Sequence, residues 1–580
     1  MKTKHSCIYA ITLCLLAVRL AAFIQPVSAQ TNSTSGVPRL ETRGAATQLV
    51  VDGKPFLILG GELNNSNASS VEYMKSVWPR LVKMHLNTVL IPVYWELMEP
   101  ERGRFDFTLV DAMLSEARTH HMKIVFLWFG TWKNSMSCYV PEWMKKDTAQ
   151  FPRAYSSDGT SQEIVSPFSP AALAADRTAF ATLMNHIKAV DHSTHTVLMM
   201  QVENEIGMLP TARDHSAMAD SAYASAAPKE LLDYLRAHTN DLQPELVQAW
   251  KNAGMKSAGA WEEVFGRGVE TEEFFMAWAF ARYTNAVAEW GKKEYALPMY
   301  VNAALNKPGQ KPGQYPSAGP LPHLFDIWKA GAPSIDMLSP DIYQKTFAAW
   351  ITRFDIRANA RLIPEIADSQ SRANARSIPE VANSHTPANA LFIPEVANSQ
   401  SPANAFYAFG ARNALGYSPY SPESLEHSGE NELSQANSML KELTPLILEG
   451  QRNGTIAGVL LDSAAQSSVI TMGDYVFTIR HEYTWPYASR RDGDTPRYGG
   501  MILMIAPDEF YVAGTGLVVT FEVKNHPERR AGIARSDEGS FRKGKWAPVR
   551  RMNGDQTHQG RHINLPGADF SIQRVKLYSY

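Results

Sequence analysis

Apolar segments alternate with amphipathic segments along much of this chain. From Gln48 to Tyr343, apolar runs are separated by segments whose apolar residues have helical spacing. The first four apolar runs are residues 56–59, 88–93, 124–127 and 197–202. Successive strand–helix units predict a parallel sheet, and their repetition favours a (β/α)8 TIM barrel. A doubly wound open sheet competes, but the turn after the first strand lacks its glycine-rich phosphate pattern.

The pattern changes after Glu423. Residues 432–448 have the spacing of a helix, and apolar runs separated by turn residues follow. These runs are residues 456–461, 475–480, 501–505, 517–523 and 570–577. They predict a smaller, mostly-β, sandwich-like domain. We therefore expect a catalytic barrel over residues 30–430 and a C-terminal domain over residues 431–580.

The first 29 residues have the pattern of a secretory signal peptide. A basic start precedes an apolar run, and Val27, Ser28 and Ala29 provide a small-residue cleavage site. Arg19 and Pro26 interrupt the run and make it a poor membrane-spanning helix. We expect an exported protein, periplasmic or extracellular, with no stable membrane insertion after cleavage.

Composition limits the classes of partner. The formal net charge of −2, from 56 basic and 58 acidic residues, provides no field that would draw nucleic acid to the chain. Cys138 is the only cysteine after the predicted signal peptide, which excludes an intrachain disulfide or a cysteine-based metal site. We expect no metal and no organic cofactor. The sequence does not indicate an oligomeric state.

An Asn-Glu pair ends the fourth apolar run. Residues 199–207 read Met-Met-Gln-Val-Glu-Asn-Glu-Ile-Gly, which places Asn204 and Glu205 at the carboxyl end of a strand. Barrel enzymes carry their chemistry at this end. Asn204 is suited to hydrogen-bond a sugar hydroxyl, and Glu205 to act as an acid. Glu203 points to the other strand face, where we expect a buried Arg partner.

Residues 357–401 contain three tandem copies of a fifteen-residue unit. Each copy contains Ile-Pro-Glu, so Glu365, Glu380 and Glu395 recur at equal spacing. Three short copies form no independent core, which favours a local duplication, and only one copy can occupy one barrel strand. The third copy has the most apolar run and predicts strand seven with Glu395 at its end. Glu365 is the main alternative because the first copy follows the upstream chain without interruption.

Two carboxylates across a barrel mouth can perform retaining glycoside hydrolysis. Glu205 would protonate the leaving oxygen while Glu395 attacks the anomeric carbon. At a separation of about 5–5.5 Å, the ionised Glu395 would raise the pKa of Glu205 and keep it a proton donor. The expected partner is therefore a carbohydrate.

Three motifs resemble glycoside hydrolase family 35, the β-galactosidases. They are residues 201–207, residues 94–107 and residues 339–343. The resemblance covers roughly residues 39–423 and implies a retaining exo-β-galactosidase with Glu205 as acid/base and the strand-seven glutamate as nucleophile. It also implies these galactose-site residues: Glu62, Tyr94, Glu96, Asn204 and Tyr343. Ile206 departs from the Tyr or Phe of many family members, and the triplicated segment lies outside the family pattern.

Other interpretations remain open. Trp128 can be a stacking platform for the sugar or a packing residue of the core. The barrel motif also allows another β-glycosidase specificity. The repeats also allow a carbohydrate-binding protein with an inactivated catalytic barrel.

Overall fold

Eight parallel strands close into a barrel in the computed structural model. The structure describes residues 36–355, 390–397, 402–462, 465–481, 498–567 and 569–580. The predicted signal peptide and the repeat glutamates Glu365 and Glu380 lie outside these residues. The barrel and the strands after it confirm the predicted fold class, a TIM barrel followed by a mostly-β C-terminal domain.

Barrel strands and short antiparallel elements share the chain before residue 420. In chain order, the strands are β1 (Arg39–Arg43), β2 (Ala46–Val51), β3 (Lys54–Phe56), β4 (Ile58–Glu62), β5 (Thr88–Tyr94), β6 (Lys123–Lys133), β7 (Arg153–Tyr155), β8 (Ser161–Val165), β9 (Val197–Asn204), β10 (Met299–Ala304), β11 (Met337–Ile342), β12 (Phe392–Val396) and β13 (Gly416–Pro419). The barrel order is β10, β11, β12, β13, β4, β5, β6 and β9, closing back on β10. The antiparallel sheet β1–β3 precedes the barrel, and the hairpin β7–β8 lies in sequence between β6 and β9.

Helices follow most barrel strands. They are α1 (Val71–Lys83), α2 (Trp95–Met98), α3 (Thr108–Thr119), α4 (Glu142–Lys146), α5 (Pro170–Asp191), α6 (Ala217–Ala224), α7 (Lys229–Ala237), α8 (Pro244–Asn252), α9 (Trp261–Phe265), α10 (Val269–Glu294), α11 (Phe325–Gly331), α12 (Phe347–Phe354), α13 (Ala403–Arg412) and α14 (His427–Asn453). Ser169 begins α5, because its hydroxyl accepts the N–H of Ala172 at 3.2 Å and Pro170 fits the first helical position. Helix α5 packs against α10. In the described residues, no helix is both long and apolar enough to cross a membrane.

Strand β12 comes from the third repeat copy. The residue before it, Leu391, is buried. The first and second copies have Arg361 and Arg376 at this place in the unit, and a guanidinium there would lose its hydration. The register with β13 shifts between Ile393 and Val396, and this irregularity accommodates a proline that cannot donate to a regular ladder.

The C-terminal strands form two antiparallel sheets. They are β14 (Ile456–Leu461), β15 (Ser467–Met472), β16 (Tyr475–Arg480), β17 (Tyr498–Ala506), β18 (Glu509–Thr515), β19 (Val518–Val523), β20 (Ala531–Arg542), β21 (Lys545–Arg551), β22 (Ile563–Asn564) and β23 (Ser571–Ser579). One sheet has the order β14, β17, β18, β23, β20, β21, and the other β15, β16, β19, β22. Apolar residues of both sheets, among them Phe477 and Val512, form a shared core.

The larger C-terminal sheet also packs on the barrel side. Helix α13 lies against β14 and β17. Gly410 and Gly458 permit this approach, because a Cβ on Gly410 would come within 2.7 Å of Gly458. Glu442 of α14 accepts the backbone N–H of Phe541 at 2.9 Å. The barrel therefore has a firm packing partner on the side of α13 and α14.

Candidate active site

Polar side chains converge at the carboxyl ends of the barrel strands. They come from β4, β6, β9, β10, β11 and β12, and all are buried. The residues are Glu62, Lys133, Asn204, Glu205, Asn302, Asp341 and Glu395. This end of the barrel therefore carries four carboxyl groups and one ammonium group in a largely apolar frame.

Asn302 organises the acidic residue of the Asn-Glu pair. Its Oδ1 accepts the backbone N–H of Glu205 at 2.9 Å, and its Nδ2 donates to Asp341 Oδ2 at 2.6 Å. Glu203 and Glu205 both have positive φ angles, 62° and 43°. Non-glycine residues adopt this backbone at an energetic cost, and such conformations cluster at functional sites. Asn302 thus stabilises a strained strand end.

The environment of Glu205 makes it a proton donor. Burial, followed by the negative charge of Glu395, raises the pKa of Glu205 to about 7. The ammonium of Lys133 and a hydrogen bond with Asp341 act in the opposite direction. Glu205 is therefore substantially protonated near neutral pH, as general acid catalysis requires.

Two further carboxyls are held neutral beside Glu395. Burial raises the pKa of Glu62 well above its ordinary value, and the charge of Glu395 adds to the effect. Burial and the same charge raise the pKa of Asp341. Tyr343 donates its hydroxyl hydrogen to Glu395 Oε1. Both shifts favour the neutral forms of Glu62 and Asp341, and Tyr343 supplies a hydrogen bond to the carboxylate of Glu395.

Several buried polar groups at this end of the barrel have no hydrogen-bond partner among the described residues. Gln201 and Asn204 leave both amide atoms unpaired, and Ser339 and Ser418 leave their hydroxyls unpaired. Buried polar groups are costly unless they are hydrogen-bonded. A ligand rich in hydroxyl groups could satisfy them.

Tyr94 ends β5, and Glu96 lies in the short helix α2 that follows it. The ring of Tyr94 packs against Tyr139 and Phe129, with centroids 5.7 and 6.1 Å apart. Glu96 forms an ion pair with Lys145 at 2.9 Å. In the described part of the chain, no hydrogen bond or ion pair joins Glu96 to the four carboxyl groups. The predicted sugar contacts of both residues stay predictions.

The position of Trp128 differs from that of a stacking platform for the sugar. Its side chain lies on the outer face of β6, where Nε1 donates to Asp176 at 2.9 Å and the rings pack against Phe180 of α5. The residue is fully buried. Alternate residues of a strand face opposite sides, and Trp128 has the phase that faces the helices. It is a packing residue and not a sugar platform.

The surroundings of Glu203 also differ from the prediction of a buried Arg partner. Its carboxyl group lies near Asp176 rather than near an arginine, and Oε2 accepts the backbone N–H of Trp132 at 2.7 Å. Burial, followed by the charge of Asp176, raises the pKa of Glu203 well above its ordinary value. Asp176 also accepts from Trp128 and from Thr131. The two carboxyls form a buried acid pair behind the strand that carries Glu205.

Lys133, Asn302 and Asp341 were not predicted as site residues. Lys133 was not recognised as a strand-end residue because β6 continues six residues beyond its predicted end at residue 127. Asn302 and Asp341 stood at predicted strand ends, where barrel enzymes place functional residues. Their position at strand ends was the signal by which both residues could have been predicted as site residues. The described residues contain no group of three or more His, Cys, Asp or Glu side chains that could hold a metal ion.

Two segments match family models. Residues 66–277 match the glycoside hydrolase family 42 model, described as Beta-galactosidase. Residues 433–564 match a domain of unknown function, DUF5597. A β-galactosidase of Xanthomonas manihotis is 29% identical over 214 residues, which cover 36% of this chain and 32% of that protein. The chain thus spans about a third of the length of the curated relative it matches.

The matched segments are similar to glycoside hydrolases that are described as β-galactosidases. The matching model is that of family 42 rather than the family 35 of the motif resemblance. Similar solved structures include a β-galactosidase from Bacillus circulans sp. alkalophilus, at 11% identity and a TM-score of 0.47, over 90% of this chain and 99% of that chain. Another is a β-galactosidase from the psychrophilic Marinomonas ef1, at 10% identity and a TM-score of 0.42. The similarity covers 68% of this chain and 62% of that chain.

Proposed function

We propose that this protein is a retaining exo-β-galactosidase that removes terminal non-reducing β-D-galactose from oligo- or polysaccharides. The observation that carries the proposal is the coupling of two buried glutamates at strand ends, in which the charge of Glu395 raises the pKa of Glu205. An acid beside a charged carboxylate suits a double displacement, in which one glutamate donates a proton and the other attacks the anomeric carbon. Membership of family 35 stays a prediction from the motifs.

In the first step, the carboxylate of Glu395 attacks the anomeric carbon. The bond from that carbon to the glycosidic oxygen breaks, and the proton of Glu205 passes to the leaving oxygen. The products are a free alcohol, a glycosyl ester on Glu395 and an ionised Glu205. Tyr343, which donates to Glu395, orients the nucleophile for this attack.

In the second step, water attacks the anomeric carbon of the glycosyl ester. Esterification removes the negative charge of Glu395, which is one cause of the raised pKa of Glu205. The pKa of Glu205 therefore falls, and its carboxylate accepts a proton from the attacking water. The bond between the anomeric carbon and Glu395 breaks and its electron pair returns to the Glu395 carboxylate. Galactose leaves with its original anomeric configuration, and Glu205 is protonated again.

The neutral acids and amides supply the hydrogen bonds that a sugar needs. Protonated Glu62 and Asp341 can each donate one hydrogen bond. The unpaired amide of Asn204 can donate to the sugar 2-hydroxyl oxygen beside Glu205. These contacts would hold the anomeric carbon between Glu205 and Glu395.

Hydrolysis of a panel of aryl β-glycosides tests the proposal. The wild-type protein should favour the galactoside, and Glu205→Gln and Glu395→Gln should each lose most of that activity. The repeats provide matched controls, since Glu365→Gln and Glu380→Gln remove the same charge from the same local sequence. Loss of activity in Glu365→Gln instead of Glu395→Gln would assign the nucleophile to the first copy.

Rescue by azide separates the two roles. In Glu205→Ala, azide attacks the glycosyl-enzyme and should give the β-galactosyl azide. In Glu395→Ala, azide replaces the missing nucleophile and should give the α-galactosyl azide. Preference for another β-glycoside would replace the galactose assignment, whereas a folded wild type that hydrolyses no glycoside would favour a carbohydrate-binding protein.

We also propose that the protein is exported after removal of residues 1–29. The support is the sequence pattern of that segment. Expression of the full chain followed by N-terminal sequencing of the exported product should find Gln30 as the first residue. A product that keeps the segment and stays with the membrane would contradict cleavage.

A further inference from the structure

Lys133 is a buried cation at the mouth of the barrel. It is the last residue of β6 and has 6% of its surface exposed. Its position is tied to the Asn-Glu pair by the backbone, because Asn134 N–H donates to Asn204 O at 3.2 Å and Ser135 N–H donates to Glu205 O at 3.0 Å. The backbone therefore holds the loop that begins at Lys133 against the strand end that carries the proposed acid.

The ammonium group of Lys133 has acidic neighbours but no ion pair with them in the described part of the protein. Its charge lowers the pKa of Glu62, Glu205 and Asp341. Its Nζ lies over the ring of Phe129, whose centroid is 4.9 Å away. Lysines are rarely buried without a polar partner. Lys133 is therefore near the acids and free to donate to a ligand.

We propose that Lys133 is a substrate-binding residue whose ammonium group donates a hydrogen bond to a hydroxyl oxygen of the terminal sugar. This inference rests on the proposed glycosidase function and adds a residue to it. The three backbone and side-chain observations converge on the same place: a strand end next to Glu205, a buried ammonium, and unpaired amides of Asn204 and Gln201 on the neighbouring strand β9. A neutral sugar supplies hydroxyl oxygens that such a donor requires.

Lys133 has a second effect through its charge. The groups that face Glu205 are Glu395, Lys133 and Asp341, from β12, β6 and β11, and Glu62 of β4 lies in the same cluster. Lys133 also lies near Cys138 of its own loop. Removing the ammonium leaves the acids without their cation, so Glu205 keeps its proton to higher pH.

The test compares Lys133→Met with Lys133→Arg and with Lys123→Met. Lys123 begins the same strand at the opposite end of the barrel, where its Nζ donates to His195 O, and provides the matched control. For the galactoside, kcat/KM should fall about 10- to 100-fold in Lys133→Met and recover in part in Lys133→Arg. The alkaline limb of its pH profile should move upward by roughly half a unit to one unit. Lys123→Met should change neither quantity once folding is verified by thermal melting.

Deoxygalactosides identify the hydroxyl group. Removing the hydroxyl that Lys133 binds should cost the wild type about 10-fold or more and cost Lys133→Met little further. Equal kcat/KM and equal pH profiles for Lys133→Met and Lys123→Met would overturn the inference. The inference would also be overturned if, for every deoxygalactoside, the losses from removing the hydroxyl and from Lys133→Met were additive.

Failure of the proposed function has a different signature. If the wild type prefers another β-glycoside, the same variants are compared on that substrate. If it hydrolyses none, binding of galactose is measured by calorimetry. Weaker binding by Lys133→Met than by Lys123→Met would support the inference without catalysis, and equal or undetectable binding would overturn it.

Discussion

Asn302 Oδ1 accepts the backbone N–H of Glu205 at 2.9 Å. The backbone of Glu205, the proposed acid, is thereby held by a side chain of the adjacent strand. This bond connects β9 to β10 above the point where their regular ladder ends, since the paired residues of the two strands stop at Gln201 and Tyr300. The placement of the acid therefore depends on a side-chain amide as well as on the barrel ladder.

Replacing this amide should lower both the activity and the stability of the protein. In Asn302→Ala, Glu205 and Asp341 each lose a partner, and we expect kcat/KM to fall about 10- to 100-fold and the free energy of unfolding to fall by about 1–3 kcal/mol. Kinetics and urea unfolding measure the two effects. Asn185→Ala, which removes an exposed contact with Glu294, provides the control and should change neither by much. Equal activity in the two variants would refute the positioning role.

The pH profile should report Glu205. Because its pKa is raised to about 7, kcat/KM should fall as pH rises through about 7 and the acid loses its proton. The measurement compares an alkyl galactoside, whose leaving group needs protonation, with an activated aryl galactoside. The fall should be steeper for the alkyl substrate. An alkaline limb unchanged in Glu205→Gln would assign that limb to another group.

Tyr343 should support the nucleophile. Burial and the charge of Glu395 raise the pKa of Tyr343 above its ordinary value, so it remains a donor through the neutral range. Tyr343→Phe removes the donated bond, and we expect kcat/KM to fall about 10- to 100-fold. The control is Tyr73→Phe, at an exposed position of α1. A loss shared by both variants would argue against a specific contact.

Two substitutions of Glu203, in the acid pair behind β9, should change stability by different amounts. Burial and the charge of Asp176 raise the pKa of Glu203 and favour its neutral carboxyl, so Glu203→Gln should change the free energy of unfolding by less than about 1 kcal/mol at pH 5. Glu203→Ala removes the partner of Asp176 and should cost about 2–4 kcal/mol. Thermal melting and urea unfolding measure both.

The same pair predicts a pH dependence of stability. A carboxyl whose folded pKa is raised binds more protons in the folded state, so its contribution is present below its unfolded value and declines as pH rises toward the folded value. Glu203→Gln has no such proton to lose. Its melting temperature should therefore rise relative to the wild type between pH 5 and pH 8. A constant difference across this range would show that Glu203 is ionised in the folded protein.

The strand ends of the barrel could be predicted because long apolar runs end in polar residues. The run at residues 197–202 became β9, and the Asn-Glu pair lies at its end. Strand β13 was missed, since its four residues include Gly416 and Pro419 and have little strand propensity. Neighbouring strands supply what its sequence lacks: Ile393 and Leu59 both pair in register with Tyr417.

Other features of the site depended on register. The phase of β6 decides whether Trp128 faces the mouth or the helices, and a fully apolar strand does not reveal its phase. In the C-terminal domain, β20 and β21 were missed because their charged residues do not form an apolar run. Asp537 of β20 pairs with Arg551 of β21 at 2.6 Å, so charged residues of these two strands neutralise each other within the sheet.

The origin of strand β12 in the third repeat copy limits which copies can be lost from the gene. Each repeat copy has fifteen residues, so gain or loss of one copy preserves the reading frame. The barrel needs one copy, and the third alone has Leu391 rather than an arginine at the buried position before the strand. Natural variants with fewer copies should therefore lack the first or the second, while the third is inherited in every functional allele.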